Sequence, residues 1–407
     1  MAVSRPMRLP RTLLLAAPAC ALAALSLAAC ATATRLSSLD LEAKAAQVLL
    51  IGVEGSGAPT ADSAALLERM GVGGVLLFGF NLPGEPAEAG RFTSALQDAS
   101  LRGWASRREA PIPLIVAVDH EGGSVFRFKG AGITRIPPPS EVAGRGEAYA
   151  SLLGRAAGAE LRALGFNMAL APVVELLTDD NKAFLGSRSY GRSARETDAA
   201  AGAYIEGLQS ELVAAVAKHF PGNAGEDPHR VLPELALSKE AYERDYLPRF
   251  ASAVKRRVSS VMLSHVVFTA IDPSRPASLS PAIVRGELRG RLGFRGLAIT
   301  DDLGMRALSA TRSPEKSAVE ALAAGADLLM LVDMRAAPGV RDAIVAAVKE
   351  GRLPAARLDE AVRRVLELKA RFKMDEGLDP AARAAELGRF PSIVREDGQL
   401  LKSRRKE

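Results

Sequence analysis

Short runs of Val, Ile, Leu and Ala recur along this chain, separated by longer stretches in which apolar residues return every three or four positions among Arg and Glu. Runs without polar alternation read as strands buried on both faces of a parallel sheet, and the longer stretches as amphipathic helices packed against it. Strands are expected at 47–52, 74–78, 114–119, 167–173, 212–219, 260–265, 297–301 and 327–332. Helices are expected at 61–70, 87–103, 148–164, 196–210, 239–256, 281–292, 314–324 and 337–350. Ser313 before Pro314 suits a helix start, and Gly165, Gly293 and Gly325 stand where helices should stop. Eight such units in a row predict an α/β fold, a closed (β/α)8 TIM-type barrel forming a single catalytic domain. An apolar stripe through Leu358, Val362, Val365, Leu366 and Leu368 predicts one more helix, packed on the outside of the barrel.

Loops that follow the strands of such a barrel gather at one end, so residues distant in sequence converge on one pocket. Asp119, Glu175, Lys218, His219, His265 and Asp301 all fall at or just past an expected strand end. In Asp119-His120-Glu121-Gly122-Gly123, carboxylates able to accept from sugar hydroxyls stand beside a glycine pair that permits a tight backbone. A turn capped by Asp119 is the plainer alternative. Arg127 follows as a donor to hydroxyl or acyl oxygens. Arg188 has small neighbours that would let it reach inward, yet alone it reads equally well as a surface arginine. Lys218 and His219 end the fifth strand, where strict alternation would turn only one of them into the barrel mouth. Both contribute if the strand end twists. Asp227-Pro228-His229 lies on a Gly- and Pro-rich loop, where the carboxylate can bond the ring, fix its tautomer and make a proton shuttle. Asp301 directly ends the seventh strand and is the candidate nucleophile, with Asp302 expected to face away and cap a helix.

At 407 residues, 48% hydrophobic and 25% charged, the chain can bury a barrel-sized core. Arg5, Arg8 and Arg11 precede an uncharged Ala/Leu-rich run over 12–29, the layout of a secretory signal. The run ends in Leu27-Ala28-Ala29-Cys30, which resembles the bacterial lipobox; Cys30 would then be lipidated and become the first mature residue. Each buried methylene of an acyl chain contributes about 0.8 kcal/mol, so several chains hold firmly. A simple signal peptide or an uncleaved anchor helix is the alternative. Cys20 lies within the leader, which leaves the mature chain no disulfide pair. Three units of the formal +6 charge belong to the leader arginines, and the remaining +3 is too small to argue for nucleic acid. No Gly-rich phosphate loop follows a strand and no Cys or His spacing is that of zinc, so neither cofactor nor metal is expected. The divisions are a leader at 1–29, a catalytic domain at 30–373 and a polar tail at 374–407.

Taken in order, Asp119-x-Glu-Gly-Gly with Arg127, Ser-Arg188-Ser-Tyr-Gly, Lys218-His219-Phe-Pro-Gly, Asp227-x-His229, Ser264-His265-Val266 and Thr300-Asp301-Asp302-Leu303-x-Met305 resemble glycoside hydrolase family 3. The likeness is to its β-N-acetylglucosaminidase branch and spans residues 36–373. It implies a (β/α)8 barrel, Asp301 as nucleophile, His229 as acid/base and Asp227 as its orienting partner. Asp119, Arg127, Arg188, Lys218 and His219 would bind the sugar, and His265 would line the same pocket. The implied partners are a carbohydrate and, through Cys30, a membrane of the bacterial cell envelope. His120 stands where the family usually has glutamine, Ser124 where arginine is common and Asn223 where histidine is usual, and the catalytic loop is shorter by about two residues. Alternatives within the family are a β-glucosidase, a β-xylosidase or a phosphorylase. A glycan-binding envelope lipoprotein without turnover is the alternative from another class.

Overall fold

A computed structural model describes residues 31–82, 84, 86–128 and 133–376. The expected leader, Cys30 and nearly all of the expected tail lie outside the described residues. Strands β1 (Leu49–Gly52), β2 (Gly74–Leu77), β3 (Ile115–Val118), β4 (Met168–Ala169), β5 (Ala214–Phe220), β6 (Ser260–Leu263), β7 (Leu297–Asp302) and β8 (Leu328–Leu331) close into an all-parallel barrel. Each pairs with its neighbours in chain order and β8 returns to β1, so the fold is the (β/α)8 barrel that the sequence implied.

The uniformly apolar strands serve two cores at once, because successive side chains point to opposite faces. Leu50, Leu76, Ile115, Ala117, Ala214, Val216, Leu297, Ile299, Leu328 and Met330 fill the barrel interior. Their alternates, such as Leu49, Ile51, Val75, Val116, Ala215 and Ala298, pack outward against the helices. Gly74 is confined by this interior: a Cβ there would lie 2.6 Å from that of Ile115. Carried one step past the apolar register, the inward parity reaches Phe78, Asp119, Lys218, Asp301 and Val332.

Several elements depart from the expected bounds for local reasons. The fourth strand is only Met168–Ala169, because Pro172 offers no N–H to a ladder. Its continuation touches β5 at the single bridge from Val173 to Lys218. The helices over 239–256 and 281–292 contain wider π-type turns, at Tyr242–Tyr246 and Ala282–Arg291.

The last helix, Ala355–Arg371, corrects one expectation. It does not lie along the outer wall alone but closes the floor of the barrel, with Val365, Leu368 and Phe372 joining the interior cluster. Arg289, Arg357 and Arg364 converge on buried Asp327 at the foot of β8 and tie that helix down. Glu360 also pairs with Arg357 and Arg364, so removing Asp327 would strip Arg289 of its carboxylate and leave the other two with Glu360 alone. No helix among the described residues is long and apolar enough to cross a membrane.

Candidate active site

A cavity of about 430 Å³ opens at the end of the barrel where the strands finish. Its wall includes Asp119, Arg127, Arg188, Lys218, His219, His229 and Asp301 from the residues singled out in the sequence. Strand parity accounts for Asp119, Lys218 and Asp301. His219 breaks that parity, and its entry follows from a register shift between Ala217 and Phe220 against β6. The Lys218–His219 peptide is cis. Both side chains face the site, as expected, but through a bulge rather than a smooth twist.

The deep side of the cavity is a buried ionic network. Lys218 Nζ lies 2.9 Å from Asp119 Oδ1 and 2.7 Å from Glu121 Oε1. Arg188 donates from Nε and Nη2 to the two oxygens of Glu121, each at 2.9 Å, a bidentate pair. Burial pushes the Glu121 carboxyl up, but Lys218 and Arg188 outweigh it and hold the group down at about 2. Burial likewise opposes the Lys218 ammonium, while Asp119 and Glu121 raise it above its ordinary range. Gly122 and Gly123, at φ 95° and 58°, turn the chain after Glu121 into a short hairpin of His120–Gly122 and Val125–Phe126. The hairpin returns Arg127 to within 3.5 Å of Asp119, and its buried Nε has no protein partner. The side chain lines the cavity, with 34% of it open to solvent.

Asp301 accepts from the N–H of Asp302 at 2.9 Å. Burial pushes its carboxyl up, yet His219, His265, that N–H and Lys218 more than reverse the effect, so it lies below its ordinary range. His265 was expected on the cavity wall and stands behind it instead. Its Nε2 donates to the Asp302 carbonyl at 3.0 Å and its Nδ1 faces Ser278 Oγ at 2.8 Å, so the buried ring braces the end of β7. Asp302 caps no helix; its carboxylate accepts from Gly304 at 3.1 Å and from Val332 at 2.9 Å, and it forms part of the wall. A register shift between Ile299 and Asp302 against β8 turns it there.

His229 differs from all of these in exposure, with 68% of its side chain open to solvent. Its Nδ1 lies 2.7 Å from Asp227 Oδ1, which also accepts from the backbone N–H of His229 at 2.9 Å. The carboxylate thus places a proton on Nδ1 and leaves Nε2 for exchange. Burial pushes the Asp227 carboxyl up, but the two bonds from His229 together with the nearby charges of His229 and Arg230 outweigh it, and it lies below its ordinary range. The N–H of Ala307 donates to Pro228 O at 3.1 Å, which ties the His229 loop to the segment that follows Asp301.

Two residues carry more of the site than the sequence indicated. Glu121 is the hub of the ionic network although the motif pointed first to Asp119. Glu175 accepts from the His219 N–H at 3.1 Å, the Asn223 N–H at 2.6 Å and Asn223 Nδ2 at 3.0 Å, and faces His219 Nδ1 at 2.9 Å. It fixes the His219 ring and the root of the His229 loop together. Asn223 stood out only as a departure from a motif; its neighbour in space, far off in sequence, gives it a role. Among the described residues, no group of three or more His, Cys, Asp or Glu side chains is arranged to hold a metal ion.

The strand ends thus form a cup of paired carboxylates and cations with an imidazole at its lip. Residues 40–368 match the family model described as glycosyl hydrolase family 3 N terminal domain. A beta-hexosaminidase of Methylococcus capsulatus is 36% identical over 279 residues, 67% of this chain and 79% of that protein. Beta-hexosaminidase LpqI of Mycobacterium tuberculosis is 32% identical over 334 residues, 80% of this chain and 82% of that one. The solved β-N-acetylglucosaminidase of family 3 from Paenibacillus sp. str. FPU-7 superposes with a TM-score of 0.79 at 34% identity, covering 86% of this chain and 68% of that one. The chain belongs to glycosyl hydrolase family 3 and is a glycoside hydrolase.

Proposed function

We propose that this enzyme is a retaining β-N-acetylglucosaminidase that removes terminal, non-reducing β-linked N-acetylglucosamine. Asp301 attacks the anomeric carbon while His229 Nε2 protonates the leaving oxygen, giving a covalent glycosyl-enzyme. His229, now neutral at Nε2, takes a proton from water as that water opens the intermediate, and two displacements restore the original configuration. A histidine in place of the usual second carboxylate keeps another anion away from Asp301, whose charge must stay available. Asp227 orients the ring, and Asp119, Arg127, Arg188, Lys218 and His219 receive the sugar hydroxyls. The observation that carries this reading is that His229 and Asp301 line one cavity, their segments joined by the Ala307–Pro228 hydrogen bond.

The substrate class follows from the hexosaminidase names of the relatives, and the leader suggests where it is met. A protein lipidated at Cys30 and held at the bacterial cell envelope would encounter peptidoglycan fragments or chitin-type oligosaccharides. The test is release of aryl alcohol from an N-acetylglucosaminide and from the matching glucoside, with and without phosphate. Turnover of the N-acetyl substrate to free sugar is expected. Preference for the glucoside, or a sugar phosphate formed only with phosphate present, would sink the reading. A fluorinated glycoside that traps the intermediate should label Asp301 and no other residue.

A further inference from the structure

Four large apolar side chains stand exposed among the described residues: Phe80, Val231, Leu232 and Val332. All lie on loops at the cavity end of the barrel, after β2, β5 and β8. Phe80 is the most open, at 65%. Its ring stacks on that of Phe78, with centroids 5.7 Å apart and planes inclined by 6°, and Phe78 is itself part of the cavity wall. The pair therefore forms a continuous aromatic surface running from inside the cup to the solvent.

The turn that presents Phe80 is firmly built. Asn81, fully buried, accepts from the Phe78 N–H at 2.8 Å and donates to the carbonyls of Val53 at 3.0 Å and Gly55 at 2.8 Å. These bonds sew the β2 loop to the β1 loop. Phe80 packs only on Phe78 through that stack and leaves most of its ring open beside a ligand cavity, where apolar surface suits contact with a bound molecule.

We propose that the Phe78–Phe80 stack is the binding shelf for the first sugar ring of the leaving group. The polar cup satisfies the hydroxyls of one terminal ring, so the remainder of a glycan must leave by the mouth where His229 and Phe80 stand. A β-linked pyranose chair carries its hydroxyls around its edge and presents a flat face of axial C–H groups, which suits an aromatic ring as a neighbouring surface. The ligand class is a β-linked oligosaccharide of at least two rings, and the shelf presupposes the glycan substrate proposed above. Phe80 is then a specificity residue for the leaving group and takes no part in proton transfer.

The test compares N,N′-diacetylchitobiose with methyl β-N-acetylglucosaminide, because an aryl leaving group would itself stack. Phe80→Ala should lower kcat/KM for the disaccharide by about tenfold, the scale of one stacking contact, and leave the methyl glycoside unchanged. Phe80→Trp should restore the disaccharide. Equal losses on both substrates would mean that the ring supports loop closure, and no loss on either would mean that it is idle; each overturns the shelf. If the wild type turns over neither glycoside, the substrate reading fails separately. Calorimetry on Asp301→Asn then decides the shelf: tighter binding of disaccharide than of N-acetylglucosamine, abolished by adding Phe80→Ala, upholds it, and any other pattern overturns it.

Discussion

The floor of the cavity and its lip are built on opposite principles. Glu121 and Lys218 are almost fully buried, and every charge in their network is met by a partner within 3.5 Å. His229 and Asp227 are exposed, paired with each other and held to the rest of the protein chiefly by the backbone bond at Pro228. The floor must hold one shape, because sugar hydroxyls are recognised by fixed distances and a misplaced buried charge is costly. In the proposed mechanism the lip exchanges protons with a leaving group and then with water, which a dry, fully bonded imidazole does badly. His265 makes the contrast explicit: the same residue type, buried between Ser278 and the Asp302 carbonyl, has its pKa lowered by burial and serves as a brace.

The sharpest way to break this comparison begins where the two regions meet. Asp301→Ala should reduce kcat on the order of 10,000-fold while leaving the protein folded, as read by aryl alcohol release beside circular dichroism. His229→Ala should cost about 100- to 10,000-fold on a substrate with a poor leaving group. Its unfolding free energy should change by less than about 0.5 kcal/mol, because an exposed ring packs on little. Lys218→Met should do the reverse in stability, costing about 3 kcal/mol by urea unfolding, since it leaves buried Glu121 with Arg188 alone and Asp119 with only the longer contact to Arg127. Similar stability losses for His229→Ala and Lys218→Met would erase the distinction.

Acid should separate the regions as well. The Glu121 carboxyl falls from an ordinary 4.5 to about 2 on folding. Between those values the unfolded chain binds the extra proton, so stability is fully present above about pH 4.5 and is lost as the pH falls toward 2. The loss is on the order of 3 kcal/mol, and Glu121→Gln should flatten that part of the stability profile. A profile unchanged by the substitution would show that the network is not coupled to folding.

How much of this was legible beforehand depended on whether the signal was local. Eight apolar runs and their helix punctuation suffice for the barrel, and extending the inward parity by one residue is enough to select Asp119, Lys218 and Asp301. Parity misled at Asp302, where a bulge against β8 turns the side chain, and it left His219 unresolved until the shift against β6 was seen. The stripe on the last helix correctly indicated a buried face, but nothing in its period distinguishes a barrel wall from a barrel floor. Glu175 and Asn223 are 48 residues apart and meet only through the fold, so neither could be paired from spacing alone. Phe80 reads in sequence as one more apolar residue near a strand end; only its exposure sets it apart.

The smallest effect tests how the lip itself works. Asp227→Asn preserves size and an acceptor oxygen for His229 Nδ1, so the ring keeps its partner, and what disappears is the negative charge that stabilises the imidazolium. The expected loss is about 10- to 100-fold in kcat/KM for an alkyl glycoside, whose leaving oxygen must be protonated as the bond breaks. An activated aryl glycoside needs little protonation and should lose much less in that step, although the water step, where His229 serves as base, stays slowed in kcat. That split between substrates is the signature of electrostatic support. Equal losses on both glycosides would instead mean that Asp227 only holds the loop in place, and the lip would then resemble the floor: a fixed scaffold whose charge pairs serve geometry first.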